Sequence, residues 1–462
     1  MLFNSFIFLF GFLPITYLVF WLLRSAQGRY VWLTVTGYIF YGWWDWRFCF
    51  LMLTSTVVSF GAGRVLAAWS DPGRRRLAMV VPIVFDLALL GFFKYANFGL
   101  EAVRTTLHWA GADLVIPHFN IILPIGISFY TFHTISYIVD AYRRTITPTR
   151  NFFEFACYVS LFSQLVAGPI VRFRQIEEDL ENLGHADRWR WFQRGISFFA
   201  VGMVEKVLVA DTLAAFVDPA LANYQTLSTA GMWLTVLGYT FQLYFDFSGY
   251  STMAVGLGYL FGIRIPQNFN SPYKALDPSD FWRRWHISLS SCLRDYLYIP
   301  LGGNRGTPAA ASRNLMLTML FGGLWHGAAW TFVIWGAYHG LLLVAYRAVQ
   351  SSWDRLAPVV RQGLMFLLVT IGWVFFRATS FEMAGFMLRR MFWPSAGVII
   401  GSPVLLAGSV AFAAGWAMFG PNAFDLRHEF RWPARVFAAA ALGACLAVIA
   451  GSRASPFLYF QF

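Results

Sequence analysis

The stretch "NLMLTMLFGGLWHGAAWTFVIWGAYHG" (residues 314–340) contains no Asp, Glu, Lys or Arg, although it holds two histidines. The charge-free run continues as far as Tyr346. A helix needs about 20 apolar residues to cross a bilayer core, so this region is long enough to cross once and to begin a second crossing. The stretch therefore predicts a fold of helices embedded in a membrane.

The rest of the chain has the same character. Of its 462 residues 58% are hydrophobic and only 13% are charged, about half the charged fraction of a soluble protein. Further charge-free stretches are Leu2 to Leu23, Leu114 to Val139, Pro219 to Phe245, Met391 to Phe424 and Val436 to Ser452. We expect an all-α polytopic membrane protein of about 11–12 transmembrane helices, some of them broken, re-entrant or interfacial. No internal repeat or linker is apparent, which predicts one membrane domain over residues 1–462.

The net charge of +12 comes almost entirely from arginines that lie between apolar runs. This arrangement is typical of positive loops on the cytoplasmic side, and it also suits an anionic cytosolic substrate. Because the basic residues separate membrane segments, nucleic acid is not expected as a partner. The four cysteines are far apart and form no CxxC pair, which argues against a zinc site and against a disulfide framework.

The stretch "DFWRRWHISLS" (280–290) begins the second region of interest. Asp277 is a suitable N-cap and Pro278 suits the first helical position. Apolar residues then recur every four positions, namely Phe281, Trp285, Leu289, Leu293 and Leu297. The pattern predicts one amphipathic helix at the membrane interface, with arginines on its opposite face. His286 lies at the edge of the apolar stripe on this helix.

The second histidine of interest, His326, is surrounded by Gly322, Gly323 and Gly327. Glycines at membrane depth permit a broken helix or a close approach of two backbones around a cavity. His339 follows on the same charge-free stretch. On an unbroken helix it would face nearly away from His326, so we expect the two to occupy different places, with His339 structural.

Ionisable side chains at membrane depth are candidates for function. The alternatives are a histidine bonded to a neighbouring helix for His326 and an interfacial anchor for His286. A neutral imidazole in a dry cavity is a good general base, which can activate a hydroxyl to attack a thioester. Arg283, Arg284 and Arg294 either set the membrane topology or bind the phosphates of coenzyme A. Two histidines without a carboxylate or thiolate set make a poor metal site, so no metal is expected.

Several stretches together resemble the membrane-bound O-acyltransferase (MBOAT) family, in particular its bacterial branch that acetylates exopolysaccharides. They are "LPIGISFYTFHTISYIVD" (123–140), "LVAGPIVRFRQI" (165–176), "QLYFDFSGYSTMAVGLG" (242–258), "DFWRRWHISLSSCLRDYLYIPLGGNR" (280–305), "GGLWHGAAW" (322–330) and "SPFLYFQF" (455–462). The resemblance implies that His326 is the catalytic histidine and His286 a second active-site histidine. It places the catalytic region at about 264–345.

The resemblance also implies a substrate, a location and partners. The donor would be cytosolic acetyl-CoA, with no permanently bound cofactor, and the helices would surround a central cavity that reaches both faces. The protein would be a multi-pass protein of the bacterial inner membrane that works with an exopolysaccharide synthesis complex and a periplasmic SGNH-type acetyltransferase or esterase. The polymer could be alginate, cellulose or another exopolysaccharide. A transporter of an acyl group or lipid-linked sugar, and a scaffold without catalysis, are the alternatives of other classes.

Asp246 and Tyr459 each allow two interpretations. Asp246, in "QLYFDFSGYS" (242–251), is either a structural anchor or part of a cavity wall. Tyr459 follows Pro456 in an aromatic tail that also contains Phe457 and Phe460. It is either an anchor in the aromatic belt of the membrane or a covalent relay that takes the acetyl group as a phenyl ester.

Overall fold

The structure is a computed structural model, and it describes residues 1–112, 119–166, 168–185, 187–428, 432–451 and 458. Its α-helices are α1 (Leu13–Leu22), α2 (Ala26–Gly42), α3 (Phe48–Ala68), α4 (Pro72–Leu90), α5 (Ala96–Trp109), α6 (Ile127–Tyr142), α7 (Phe152–Ser160), α8 (Phe162–Leu165), α9 (Phe173–Glu181), α10 (Arg188–Met203), α11 (Asp211–Ala222), α12 (Thr229–Leu260), α13 (Pro278–Arg284), α14 (Ile287–Leu293), α15 (Pro308–His326), α16 (Trp330–Trp353), α17 (Pro358–Arg377), α18 (Phe381–Phe392), α19 (Pro403–Phe419) and α20 (Trp432–Gly451).

Short π-helical and 3₁₀ segments join several of these helices. The π-helical segments are Ile7–Phe12, Gly91–Tyr95, Val204–Ala210 and Arg294–Tyr298, and the 3₁₀ segments are Tyr224–Thr226, Pro272–Lys274 and Ala423–Asp425. The described residues contain no β-strand, so the predicted all-α class is confirmed.

Four helical stretches of the described residues are long and apolar enough to cross a membrane. They are Phe48–Ala68, Pro72–Trp109, Trp330–Trp353 and Pro358–Arg377, and Ile7–Leu22, Pro403–Phe419 and Arg435–Gly451 are shorter apolar helices. The outer face of α4 is apolar, because Leu77, Val81 and Val84 are each more than half exposed. Such a face suits contact with lipid. The number of 11–12 spans, like the single domain over 1–462, stays a prediction.

The longest helix, α12, forms the centre of the fold. Every residue from Tyr239 to Gly258 on it is buried, including the polar side chains of Gln242 and Asp246. Its backbone lies close to that of α10. A Cβ at Gly202 would lie 2.5 Å from the carbonyl oxygen of Gly249, and a Cβ at Gly249 would lie 2.8 Å from that of Gly202. Only glycines permit this approach of two helices.

The break that the glycines around His326 permit is present, because α15 ends at His326 and α16 begins at Trp330. The two helices then pack side by side as a hairpin. A Cβ at Gly323 would collide with the carbonyl oxygen of Phe332, on the facing helix. This packing leaves His326 at the buried end of a helix rather than in its middle.

The prediction of one amphipathic helix after Asp277 is wrong. Asp277 does cap α13, where its side chain accepts a hydrogen bond from the Asp280 amide. The helix then stops, and His286 takes a left-handed conformation with φ of 44° before α14 begins. A preceding loop takes over the backbone groups freed by the break: the Asn270 amide donates to the Arg284 carbonyl, and the Ile287 amide donates to the Asn268 carbonyl, each at 2.9 Å.

Candidate active site

The two histidines selected from the sequence meet in one buried pocket. The ring centroids of His286 and His326 are 6.3 Å apart. Trp325 contacts both, with its ring centroid 5.9 Å from that of His286 and 5.0 Å from that of His326. His286 is fully buried and His326 is 5% exposed. The two Trp-His pairs therefore belong to a single site, which tertiary packing assembles from α15 and the break between α13 and α14.

Aromatic rings from α16 and α17 complete the pocket around His326. The ring centroid of Trp335 is 5.1 Å from that of His326, and the ring centroid of Phe376 is 5.2 Å away. Trp335 also contacts His339, at 4.9 Å. Trp335 therefore contacts both His326 and His339, and His339 also packs against Trp282. The expectation that these histidines occupy different places agrees with this arrangement, although the helix between them is broken.

Hydrogen bonds orient the imidazole of His286. Its Nδ1 lies 3.1 Å from Oδ1 of Asn268, which also accepts from the backbone amide of Ser288 at 3.2 Å. An amide N–H can only donate, so this atom of Asn268 is the oxygen and Nδ1 of His286 carries the proton. Asn268 in turn donates through Nδ2 to Ser251. The Nε2 atom is left as the basic nitrogen, and it has no hydrogen-bond partner among the described residues.

A cavity of about 700 Å³ reaches His326. Its lining residues include Tyr41, Trp43, Trp44, Lys94, Ile127, Ser128, Phe129 and His326. Most of this lining is apolar or aromatic, and Trp43 and Trp44 are each at least half exposed at its rim. Ile127 and Ser128 belong to the first turn of α6, so the cavity lies at that end of the helix.

Several arginines lie at the opposite end of α6 from the cavity. A helix of this length separates its two ends by about 24 Å. Arg143, Arg172, Arg174 and Arg294 form this arginine group, which surrounds Asp295. Asp295 pairs with Arg172 at 2.6 Å and with Arg294 at 2.7 Å. Burial raises the pKa of the Asp295 carboxyl, but hydrogen bonds from Arg294 and Arg172 outweigh it and hold the pKa below its ordinary value.

The arginine group has more positive charge than its acidic partners neutralise. Asp295 and Asp140 are the carboxylates that its members contact, and Asp140 lies 3.6 Å from Arg174. Four arginines and two carboxylates leave a formal charge of +2. Arg172 is buried, and its Nε and Nη2 have no hydrogen-bond partner among the described residues. Since α14 joins His286 to Arg294, the group lies one short helix away from the histidine pocket.

Of the three arginines selected from the sequence, Arg294 belongs to this group and the other two do not. Arg283 and Arg284 both contact Asp280, at 3.6 and 3.0 Å. Arg284 also donates to the carbonyl of Asn270, at 3.2 Å. The side chain of Arg283 is two-thirds exposed, whereas that of Arg284 is about one-third exposed. Arg284 therefore also holds the loop that breaks the helix at His286.

Asp246 acts as an anchor in this structure. Its carboxylate lies 2.5 Å from the ammonium of Lys206 and accepts a hydrogen bond from the Leu458 amide at 2.9 Å. Leu458 is buried, although it lies far along the chain from α12. Tyr459 itself lies outside the described residues. The next residue of α12, Phe247, contacts the ring of His286 at 4.7 Å between centroids.

Sequence reasoning missed the polar residues that support the histidines. Asn268 and Ser288 carry no motif of their own, and Arg172 and Arg174 lie in a segment rich in charged residues (172–194). Lys94 lies between apolar residues in "LLGFFKYANF" (89–98). The signal available for Lys94 was a charge inside a span, which is costly in a membrane and therefore calls for a partner.

Comparisons with known proteins identify the family of the chain. A family model described as MBOAT, membrane-bound O-acyltransferase family, matches residues 127–385, which include both histidines. The chain is 46% identical over 398 residues to the probable alginate O-acetylase of Pseudomonas syringae pv. tomato, covering 85% of this chain and 75% of that protein. It is 46% identical over 396 residues to the protein of the same name from Pseudomonas aeruginosa, covering 85% and 75%.

A more distant relative has a different named substrate. The peptidoglycan O-acetyltransferase of Helicobacter pylori is 36% identical over 427 residues, covering 85% of this chain and 80% of that protein. These matches and the helical, membrane-type structure agree on the class of protein. The chain belongs to the membrane-bound O-acyltransferase family and is a membrane-embedded O-acyltransferase.

Proposed function

We propose that the protein transfers acetyl groups from cytosolic acetyl-CoA to a hydroxyl acceptor on the other side of the bacterial inner membrane, for O-acetylation of an exopolysaccharide such as alginate. The observation that carries the proposal is the position of the two histidines. They lie in one pocket 6.3 Å apart, between a cavity on one side and the arginine group on the other.

The arginine group suits the donor end. Coenzyme A carries phosphates, and arginine is the side chain best suited to bind them through paired hydrogen bonds. Positive charge collects on the cytoplasmic side of membrane proteins, and Arg74, Arg75 and Arg76 begin α4 near this same end of α6, since Arg75 donates to the Tyr142 carbonyl. This end therefore faces the cytoplasm, and the cavity at Lys94 faces outward.

In the proposed reaction the acetyl group moves from the sulfur of acetyl-CoA to the oxygen of the acceptor hydroxyl. His326 removes the proton of the acceptor hydroxyl while that oxygen bonds to the thioester carbonyl carbon. The resulting tetrahedral centre expels the thiolate of coenzyme A, which takes up the proton from the imidazolium. The products are an acetyl ester and free coenzyme A, and His326 returns to its starting state. His286, with Nδ1 protonated and Nε2 basic, orients a second polar atom of the reactants.

A covalent relay would connect donor and polymer, and we propose Tyr459 for it. The support from the described residues is that Leu458, its neighbour in sequence, is buried and bonded to Asp246 in the interior. The Tyr459 phenol would be the first acceptor and form a phenyl ester. A phenol is a better leaving group than an alcohol, so the ester stays reactive towards the nucleophile of a partner. The aromatic belt anchor is the competing role.

The acceptor polymer is proposed from the relatives. The alginate O-acetylases are more similar in sequence than the peptidoglycan O-acetyltransferase. This difference favours an exopolysaccharide of the alginate kind over the cell wall, with cellulose as a further alternative. The final transfer to sugar would be made by a periplasmic SGNH-type acetyltransferase or esterase within an exopolysaccharide synthesis complex.

Acetyl transfer in oriented membrane vesicles tests the proposal. Acetyl-CoA with a labelled acetyl group is supplied outside inside-out vesicles and outside right-side-out vesicles. Inside-out vesicles expose the arginine group, so they should release coenzyme A and acquire protein-bound label, whereas right-side-out vesicles should do neither. Release of coenzyme A only from right-side-out vesicles would overturn the proposed direction.

The polymer is identified by a separate measurement. The acetyl content of alginate, cellulose and peptidoglycan is compared between the producing strain and a strain that lacks this protein. Loss of acetyl groups from an exopolysaccharide alone supports the proposal. Loss of acetyl groups from peptidoglycan alone would instead identify peptidoglycan as the acceptor, which is the substrate named for the Helicobacter pylori relative.

A further inference from the structure

The end of α15 raises a problem of hydrogen bonding that two side chains solve. A helix leaves its last four carbonyl groups without partners inside the helix. In α15 these belong to residues 323–326, at the break before Gly327 and next to the histidine pocket; Gly323, Trp325 and His326 are buried, and Leu324 is partly buried. No following residue of the same helix can bond them. Partners must therefore come from another element, or the helix end would be strongly destabilised.

The π-helical segment Gly91–Tyr95 supplies these partners. The Tyr95 hydroxyl donates to the Leu324 carbonyl at 2.7 Å. The ammonium of Lys94 donates to the Trp325 carbonyl and, at 3.3 Å, to the His326 carbonyl. Two adjacent residues thus bond three successive carbonyls of α15. A positive charge at this position also interacts favourably with the negative end of the helix dipole.

These contacts hold the backbone that carries the catalytic imidazole. The ring of His326 has few ways to move independently, since Trp325, Trp335 and Phe376 surround it. Its placement therefore depends on where the end of α15 lies. A change of position of about 1 Å in a reacting group can cost about 10²-fold in rate. A shift of the end of α15 would therefore lower the rate of acyl transfer.

We infer that Lys94 and Tyr95 are positioning residues that fix the end of α15, and through it His326, for acyl transfer. The inference rests on the proposed role of His326. It adds that Lys94 and Tyr95 determine the position of His326. Lys94 also lines the same outer cavity as His326. The charge is kept at membrane depth, despite its cost, because the helix end it bonds is the one that carries the base.

The test uses variants of the full chain in membrane vesicles, with release of coenzyme A from acetyl-CoA as the readout. Lys94→Met keeps the length of the side chain but removes its donors, and kcat should fall about 10- to 100-fold. The KM for acetyl-CoA should stay within about twofold, because the lost contact does not involve the donor. Tyr95→Phe removes one hydrogen bond and should lower kcat about 3- to 10-fold.

Conservative replacement separates positioning from general stability. Lys94→Arg restores donors and positive charge to the carbonyls, so kcat should recover to within about 3-fold of the parent protein. Matched controls use the same kind of bond elsewhere. Lys274 donates to the Gly420 carbonyl just after α19, and Tyr30 donates to the Leu180 carbonyl near the end of α9, both at 2.7 Å. Lys274→Met and Tyr30→Phe should leave kcat unchanged.

Each outcome decides the inference. Parental kcat in both Lys94→Met and Tyr95→Phe would overturn it, as would equal losses in the two control variants. If Lys94→Met fails to accumulate in the membrane, Tyr95→Phe decides alone: a lower kcat at normal protein level supports the inference and an unchanged kcat overturns it. A failure of the proposed function is distinct, because an active His326→Ala protein would remove the role of His326 itself.

Discussion

The two Trp-His pairs, Trp285-His286 and Trp325-His326, both lie where a helix breaks, but they are held in different ways. At the first, hydrogen bonds from Asn268 act on the imidazole and select its tautomer. At the second, the polar contacts from Lys94 and Tyr95 act on the backbone of the helix end, and aromatic rings enclose the imidazole.

This difference indicates a division of labour. A ring held through its own nitrogen is suited to presenting one fixed polar atom. A ring enclosed by aromatic side chains beside a cavity is suited to accepting and returning a proton, since a dry environment disfavours its charged form. We therefore expect His326 to carry the proton transfer and His286 to orient the reactants.

The largest effect is expected for His326→Ala. Loss of a general base costs about 10²–10⁴-fold, so acetyl transfer should fall close to the detection limit while the protein accumulates normally. The measurement is release of coenzyme A by vesicles together with the acetyl content of the polymer. His185→Ala, at an exposed position on a loop, is the control and should behave like the parent. Polymer acetylation at the parental level in His326→Ala would end this assignment.

A second change tests whether Tyr459 takes the acetyl group as a covalent relay. Tyr459→Phe keeps the aromatic ring but removes the oxygen, so a relay through Tyr459 predicts no polymer acetylation. An anchoring role predicts near-normal acetylation. Mass spectrometry of the peptide containing Tyr459, from protein trapped without acceptor, should show an added acetyl group. An active Tyr459→Phe protein would exclude the relay and leave the anchor.

His286→Ala tests the role of the other histidine of the pocket. If His286 orients the reactants, its loss should lower kcat severely, by about 10²-fold or more, with protein level unchanged. The rate of coenzyme A release is again the measurement, and His326→Ala is the reference. Loss of His286 and His326 together should cost little more than loss of His326 alone, because the two act in one step. Full additivity of the two losses would show that they act independently.

A smaller effect is expected when the support of His286 is removed. Asn268→Ala deletes the acceptor that fixes Nδ1 as the protonated nitrogen, and kcat should fall about 10-fold because the imidazole can adopt the other tautomer. Asn268→Asp keeps an acceptor oxygen and should retain more activity than Asn268→Ala. Equal activity of the two variants would show that the hydrogen bond to Nδ1 does not matter.

The smallest effect on maximal rate is expected at the arginines. Replacing Arg283 and Arg284 together by Gln should raise the KM for acetyl-CoA more than it lowers kcat, since a phosphate contact is made equally before and during the reaction. Any loss of kcat should come from Arg284, which also holds the loop at His286. Arg294→Gln should raise KM at least as much, because Arg294 belongs to the arginine group. Arg104→Gln, on exposed α5, is the control. Unaltered KM in correctly inserted double-Gln protein would leave Arg283 and Arg284 as topology signals.

Local patterns in the sequence predicted the parts of the fold that depend on local rules. Charge-free runs predicted the helical membrane class, and Asp277 was predicted as the N-cap of the helix that it does cap, α13. The glycines around His326 permitted the break that ends α15. The motifs also selected both histidines of the pocket. In each case the deciding physics is local: hydrophobic length, capping of an amide, or the absence of a Cβ.

Other features depended on partners that are distant in sequence. The amphipathic period across 277–297 predicted one helix, but the Asn268 and Asn270 backbone took over its hydrogen bonds and broke it at His286. The spacing of apolar residues shows which side of a helix is apolar. It does not show whether another segment will bond the backbone groups of that helix. The arginine group was missed for the same reason, since Arg143, Arg172 and Arg294 come from separate segments.

The class of protein, its membrane-embedded character and the two histidines to test can all be predicted from the chain alone, because composition, periodicity and motifs are properties of single segments. Three facts emerge only when the helices pack: the two Trp-His pairs form one pocket, Nε2 is the basic nitrogen of His286, and Lys94 and Tyr95 bond the end of α15. Those facts depend on which orphaned polar groups meet after helices pack, and buried polar groups find their partners wherever packing brings them.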